Sequence, residues 1–372
     1  VLIFHIGGAM ADVIVVGGGV IGLSIAWELA EQGMSVRLLE QGAIGQEASW
    51  AGAGMLPPGN PAGAKTPEAR LRAASHQLWP NWSGRLREVT GIDNGYLRCG
   101  GLHVSTTEHD AAYVKNLADW QAEGATVESV TDAACRERWP WLGPAVCQTF
   151  LLPEMGQIRN PRHLKSLEAA CGLRGVELHS GLPVVEINRQ GDRIRALRTP
   201  QGTFEADEFV FAAGAWSARL LQLADVTLPV EPVRGQIVLL ESRPLPFRTI
   251  IEQGRRYLVP RPDGKILIGS TEERVGFLKA NTATVIAELI QFAVNLVPAL
   301  ATARFDRAWS GLRPFRAGEL PDLGRIPGLR NACVATGHFR SGLQMSPITA
   351  VLIRQVLLGQ PVDLPRECRA SA

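Results

Sequence analysis

The sequence predicts an α/β protein in which a doubly wound layer is joined to a mainly antiparallel β-sheet. Three observations carry that expectation. From Asp12 to Gly33 a β-branched run, a cluster of glycines and an apolar helical run follow one another. The plan of strand, glycine-bearing loop and helix returns twice, at "FEADEFVFAAGAWSARL" and at "NACVATGHFRSGLQMSPITAVLIRQVLLG". Between these two repeats, "GQIVLLES", "RRYLVPRPDG" and "KILIGST" read as short strands joined by turn chemistry such as Pro262-Asp263-Gly264.

The first element, "DVIVV", has the composition of a buried parallel strand. After it, "VIGLSIAWELAEQG" places Val20, Leu23, Ile25, Ala26 and Leu29 on a broadly apolar helical surface that Gly33 ends. The glycines between them, Gly17, Gly19 and Gly22, have the spacing G-x-G-x-x-G. In that pattern the first glycine permits a tight turn, the second lets backbone approach a pyrophosphate, and the third lets the helix press on the sheet. Val20 and Ile21 complete the turn, whose N–H groups and partial positive charge suit phosphate. The next strand, "SVRLLE", ends at Glu40 with Gln41 beside it, about 20 residues beyond the glycines, where a carboxylate accepts hydrogen bonds from a ribose diol. An acid there also disfavours a 2′-phosphate. Strand, glycines, helix, strand and acid in register point to a bound dinucleotide.

Bulk properties exclude several classes. A chain of 372 residues with 46% hydrophobic residues has ample core for two domains, and a formal charge of +2 with scattered Lys and Arg lacks the footprint of a nucleic-acid binder. The six cysteines are far apart and form no C-x-x-C pair, which argues against a zinc site or a disulfide scaffold and fits a reducing cytoplasm. The opening "VLIFHIGGAM" lacks a basic leader, and Asp12 interrupts the apolar run that follows, so a secretory signal is not expected and the natural start is read as Met10. No segment reaches the roughly 20 apolar residues of a membrane helix, since even "ITAVLIRQVLLG" carries Arg354. The one linker-like stretch is "PPGNPAGAKTPEA", read as a loop near the site.

The glycine fingerprint alone does not separate nicotinamide from flavin. After Glu40, however, "QGAIGQEASWAGAGMLPPG" is a small-residue stretch suited to laying backbone against a flat ring system. Three glycine loops spread over the chain and returning to one site require a cofactor large enough to reach all of them. FAD meets that requirement.

The ordered set "GGGVIGLSIAWELAEQG", "SWAGAGM", "VFAAGAWS", "YLVPRPDGKILIGSTEE", "WSGLRPFRAGELPDLGRIPG" and "ATGHFRSG" resembles the FAD-dependent amino-acid oxidases of the D-amino-acid oxidase superfamily, and among them the bacterial glycine oxidases that feed thiamine thiazole synthesis. The likeness runs from about Asp12 to Gly359. It implies a Rossmann-like FAD-binding domain made of residues 10–84, 150–228 and 316–365, interleaved with a mainly antiparallel β substrate domain made of residues 85–149 and 229–315.

The resemblance also assigns residues. Arg313 in "SGLRP" and Arg340 in "GHFRSG" match catalytic positions that bind the substrate carboxylate or lie beside the flavin, Arg313 being the better candidate for the carboxylate, and Tyr257 in "RRYLVPR" matches a tyrosine that orients the substrate. A guanidinium fork suits a carboxylate because it makes two parallel charged hydrogen bonds. Met55 would lie against flavin or substrate, with Ala48, Ser49, Ala53 and Gly54 along the flavin. Val184 matches the contact at the adenine end, while Gly214, Trp216 and the run His338, Phe339, Arg340, Ser341, Gly342, Leu343 and Gln344 match further cofactor contacts. No proton-transfer role falls to His338. Two pocket positions depart from the pattern: Arg255 stands where these oxidases carry a histidine and Glu272 where they carry a methionine, so the two either reshape the substrate pocket or pair with each other. No cysteine occurs in "GLRPFRAGELPD", where related sarcosine oxidases attach flavin covalently, so the FAD is expected to be held non-covalently.

The implied reaction is oxidative deamination of glycine, sarcosine or a short D-amino acid to a 2-oxo acid, ammonia and hydrogen peroxide, with dioxygen as second substrate. A homo-oligomer and a thiazole synthase are the protein partners the resemblance suggests. Two other readings stay open: a D-amino-acid dehydrogenase that passes electrons to a quinone, and a flavin subunit of an amine dehydrogenase complex.

Overall fold

The computed structural model describes residues 10–370. The start expected at Met10 concerns residues 1–9, which lie outside the described residues.

Five parallel strands form the heart of the first sheet, in the spatial order Glu177–His179, Val36–Leu39, Ala11–Val16, Gly202–Phe211 and Ala332–Thr336. The chain therefore winds outward to one side of Ala11–Val16 and later to the other. The order reverses between Ala11–Val16 and Gly202–Phe211, where ligands of open α/β sheets bind beyond the carboxyl ends of the strands. Antiparallel strands Arg193–Thr199 and Glu186–Gln190 extend the sheet from Gly202–Phe211, and Asp322–Arg325 pairs antiparallel with Ala332–Thr336.

Alternation along Ala11–Val16 divides the core in two. Val13 and Val15 enter one hydrophobic cluster with Leu23, Trp27 and Leu352, whereas Ile14 and Val16 enter another with Phe209, Phe211 and Leu221. Both faces are thus covered, which explains a strand with no polar side. The helix Val20–Ala30 packs against helices Asn160–Leu173 and Gly342–Leu357, so burial extends beyond Val20, Leu23, Ile25, Ala26 and Leu29 to almost every residue. Glu28 is among them; burial raises its pKa, and Arg354 answers the charge at 2.7 Å, tying this helix to the C-terminal one.

The second sheet has eight strands in the order Arg304–Arg316, Val230–Glu241, Lys265–Gly269, Arg256–Pro260, Ile250–Gln253, Gly101–Ser105, Gln148–Leu152 and Glu128–Val130. All neighbours are antiparallel except Ile250–Gln253 with Gly101–Ser105. One face is closed by helix Ala283–Leu296 through Leu289 and Ala293, which meet Val238, Leu258 and Ile268. The strand Gln148–Leu152 crosses residue 150, where a domain boundary was expected. Its ladder lies wholly on Gly101–Ser105 and Glu128–Val130, so we place that boundary beyond Leu152. The linker-like stretch also ends earlier than expected. Thr66 caps the helix Pro67–Thr90 by accepting a hydrogen bond from Ala69 N, and Pro67 fills its first turn.

Two predictions follow from this packing. A Cβ added at Gly22 collides with Gly17 O, a backbone atom that cannot swing aside; Gly22→Ala is expected to cost about 1–3 kcal/mol, read as a lower Tm, and an unchanged Tm would show that the helix shifts off the strand freely. His163 is buried beside Trp79, and desolvation lowers its pKa from 6.5 to about 3. Its contribution to stability is complete above the unfolded value and declines as pH falls from 6.5 toward 3, because the unfolded chain takes up the proton first. Thermal melts of the wild type and His163→Asn between those limits should show a shallower loss with acid in the variant, and parallel curves would contradict this origin.

Candidate active site

A cavity of about 670 Å³ opens at the carboxyl ends of Ala11–Val16 and Gly202–Phe211 and extends to the second sheet. Gly17, with φ +114°, forms its base, where a Cβ would collide with Ala212 O. Gly17, Gly19, Val20 and Ile21 line it; Gly22 does not, because its role is the contact between helix and strand. Glu40 is 9% exposed at the end of Val36–Leu39. Its Oε2 accepts from Gly18 N at 2.7 Å and its Oε1 from Gly42 N at 2.8 Å, which fixes the carboxylate while leaving each oxygen further acceptor capacity. Ser49 Oγ accepts from Val20 N at 2.9 Å, tying the loop after Glu40 to the start of the glycine-bound helix.

The remaining cofactor positions read from sequence border the same space. Gln41, Ala48, Ser49, Ala53, Gly54, Met55, Val184, Gly214 and Trp216 all line the cavity, as do His338, Phe339, Arg340, Ser341, Gly342, Leu343 and Gln344. An elongated wall results: Leu182 and Val184 lie near Glu40 at one end, the helix start forms the middle, and Ala53–Met55 meets the His338–Gln344 loop at the other. These residues fit a dinucleotide carrying a flat ring. The ring end also contains Asn160, 1% exposed, whose Oδ1 has no hydrogen-bond partner among the described residues while its Nδ2 donates to Ser49 O at 2.7 Å. None of the six cysteines lines the cavity.

His338 Nε2 lies 2.9 Å from Thr349 Oγ1, and complete burial lowers its pKa to about 3, so the ring is neutral and structural. Gln344 is held through its carbonyl, which accepts from Ser75 Oγ at 2.5 Å and Trp79 Nε1 at 2.9 Å.

The second sheet supplies the opposite wall. Arg313 donates from Nη1 to Thr271 O at 2.9 Å and from Nη2 to Ser270 Oγ at 2.6 Å, and makes no salt bridge among the described residues. Desolvation lowers its pKa, and the nearby Tyr257 acts in the opposite direction. Two glycines make the room. A Cβ at Gly235 collides with the Arg313 guanidinium, and one at Gly269 would lie 2.5 Å from the Tyr257 hydroxyl oxygen. Met55 stands at this junction in a short strand, Met55–Leu56, paired with Gly156–Gln157.

Sequence reasoning missed the residue that joins the two walls. Arg261, 5% exposed, donates to Ala53 O at 2.7 Å, Gln157 Oε1 at 2.7 Å and Ile158 O at 2.9 Å. Nothing in "VPRPDG" distinguishes this arginine from a surface one. Ser270, Asn160, Glu252, His103 and Asn116 were also missed, being polar residues isolated in the sequence that come from strands, helices and a loop and meet only around the cavity.

Of the two outcomes expected for Arg255 and Glu272, the structure shows the pairing. Neither lines the cavity; they form an ion pair with each other, and the Arg255 side chain is 61% exposed beside a strand turn. Arg255 also approaches Glu319 at 3.6 Å, and Glu272 approaches Arg340 at 3.5 Å. The pair neutralises itself at the rim, while Arg340 lines the cavity.

The sequence is 35% identical over 356 residues to glycine oxidase of Pseudomonas putida, covering 95% of this chain and 96% of that one. It is 34% identical over 361 residues to the bifunctional protein ThiO/ThiG of Synechocystis, covering 95% of this chain and 52% of the other. A third relative, hydrogen cyanide synthase subunit HcnC of Pseudomonas aeruginosa, is 32% identical over 398 residues, covering 95% and 94%. The crystal structure of glycine oxidase from Geobacillus kaustophilus superimposes with a TM-score of 0.91 at 32% identity, covering 97% and 98%. The family of FAD dependent oxidoreductases designated DAO matches residues 12–356, and with the cradle, the opposing wall and these relatives in agreement, the chain belongs to that family.

Proposed function

We propose that this FAD-dependent oxidoreductase oxidises glycine and other small amino acids or amines, sarcosine and short D-amino acids among them, at the carbon bearing the amine. Glycine, dioxygen and water would give glyoxylate, ammonia and hydrogen peroxide. The observation that carries the reading is Arg313: a desolvated guanidinium that makes no salt bridge among the described residues and shares a cavity with the dinucleotide cradle.

Each wall has a defined task in this reaction. Gly17 to Ile21, Glu40, Ala48 to Met55 and His338 to Gln344 would hold the FAD, which when bound accepts a hydride and returns the electrons to dioxygen. Arg313 receives the substrate carboxylate through a two-point charged contact, aimed by Ser270 and Thr271. The Tyr257 hydroxyl, beside that guanidinium, fixes the second oxygen. With the carboxylate clamped, the amine and the Cα–H are confined to the space facing Met55, and positioning rather than proton transfer is the protein's contribution. His338 and the rim arginines need exchange no proton.

The fused ThiO/ThiG relative supports a thiazole synthase as the partner that consumes the product. The HcnC relative favours a second reading, a flavin subunit delivering electrons within an assembly, because its identity to this chain is nearly that of the oxidases.

Aerobic and anaerobic assays separate these readings. Purified protein should show a flavin spectrum and form peroxide in air with glycine, sarcosine, D-alanine or D-proline. Bleaching under nitrogen without peroxide in air would favour a carrier other than oxygen, such as a quinone, and absence of bleaching with every amine would favour the subunit. Arg313→Leu should raise KM by roughly 10- to 100-fold for every carboxylate-bearing substrate, the equivalent of about 1.5–3 kcal/mol; an unchanged KM would remove Arg313 from this role.

A further inference from the structure

The cavity has a second polar wall that the carboxylate clamp does not use. Glu252 pairs with His103 in parallel register on one side and with Tyr257 in antiparallel register on the other. Residues opposite one another on neighbouring strands project from the same face of a sheet, and all three of these line the cavity. The Tyr257 ring leans away from Glu252, over Gly269 on the next strand, toward the Arg313 guanidinium above Gly235. Clamp and Glu252 therefore stand on opposite sides of the tyrosine.

The surroundings keep this carboxylate available. His103 stacks on Phe150 with ring centroids 4.5 Å apart and planes 6° from parallel, which fixes the imidazole. Its Nδ1 lies 3.2 Å from Asn116 Nδ2, the amide donating, which leaves the ring proton on Nε2. Nε2 is 3.4 Å from Glu252 Oε1 yet buried and without a hydrogen bond among the described residues. Burial lowers the His103 pKa, so the ring is neutral near pH 7 and does not cancel the neighbouring charge. Among the described residues no lysine or arginine forms an ion pair with Glu252. Helix Ala111–Ala122 closes this end with Tyr113, Asn116 and Trp120, whose spacing places them on one helical face.

We propose that Glu252 is the selecting group of a side-chain subsite. A substrate anchored by its carboxylate at Arg313 extends past Tyr257 and presents an ammonium or amide N–H at its far end to Glu252, with His103 and Asn116 holding that wall in place. The substrate class is then short amino acids with a basic or amide side chain, and a second carboxylate is disfavoured by like charge. This subsite rests on the reading of Arg313 as the carboxylate clamp.

The holoenzyme can be titrated with β-alanine, 4-aminobutanoate and 5-aminopentanoate, each against its parent acid propanoate, butanoate or pentanoate, with Kd read from the flavin absorbance. At one chain length the amino acid should bind about tenfold or more tightly than its parent, and Glu252→Gln should abolish that advantage. Equal Kd values at every length, no spectral response to either series, or an advantage that survives the substitution would overturn the subsite. If the variant does not fold, the comparison in the wild type decides alone. Failure of glycine to reduce the flavin would sink the oxidase reading separately, with the Kd comparison still readable.

Discussion

Backbone can approach backbone only where no side chain intervenes, and the architecture of this protein turns on that constraint at Gly17. There the first strand ends against Ala212 O of its parallel neighbour, and the following helix settles back on Gly17 O through Gly22. Three segments converge within a space too small for a methyl group. In consequence the helix start, with its partial positive charge, faces the opening where the sheet order reverses. Glu40 is then drawn in by Gly18 N, so the groups that would face the phosphates and the ribose belong to one hydrogen-bonded unit.

The second sheet obeys the same constraint in another form. Gly235 and Gly269 leave hollows in a floor otherwise covered by side chains, and the Arg313 guanidinium and the Tyr257 hydroxyl occupy them. Burial of an arginine without a carboxylate is costly, and here Ser270, Thr271 and the nearby tyrosine only partly compensate. A substrate carboxylate bound as proposed would complete the set. Arg261 joins the two walls by donating to Ala53 O, Gln157 and Ile158 O, so the loop that would face the flavin is registered on the sheet that would hold the substrate.

Several charges outside the proposed carboxylate clamp are paired with each other. At the rim Arg255, Glu272, Glu319 and Arg340 are interlinked, and behind the first sheet Glu28 is answered by Arg354. Glu252 is different, since among the described residues the one basic side chain within salt-bridge distance is the His103 imidazole, whose pKa burial lowers.

The dinucleotide half was legible in the amino-acid sequence because its elements are local. Ala11 to Glu40 span one strand, one turn, one helix and a second strand, and the unbroken apolar run Val13 to Val16 marks a strand covered on both faces, although the helix is buried beyond the residues its pattern marks. The identity of the ordered motifs likewise fixed the fold class and the cofactor. Pairing between distant strands carries no such local mark. His103, Glu252 and Tyr257 share a face only because three strands adopt one register, a single-residue slip would turn any of them to the opposite side, and which of the two outcomes held for Arg255 and Glu272, pairing with each other, was settled by proximity across strands. What the chain writes along itself is backbone geometry and the groups attached to it; which charged groups are neutralised and which stay available is decided by tertiary contacts, because Coulomb attraction and desolvation depend on distances through space rather than along the sequence.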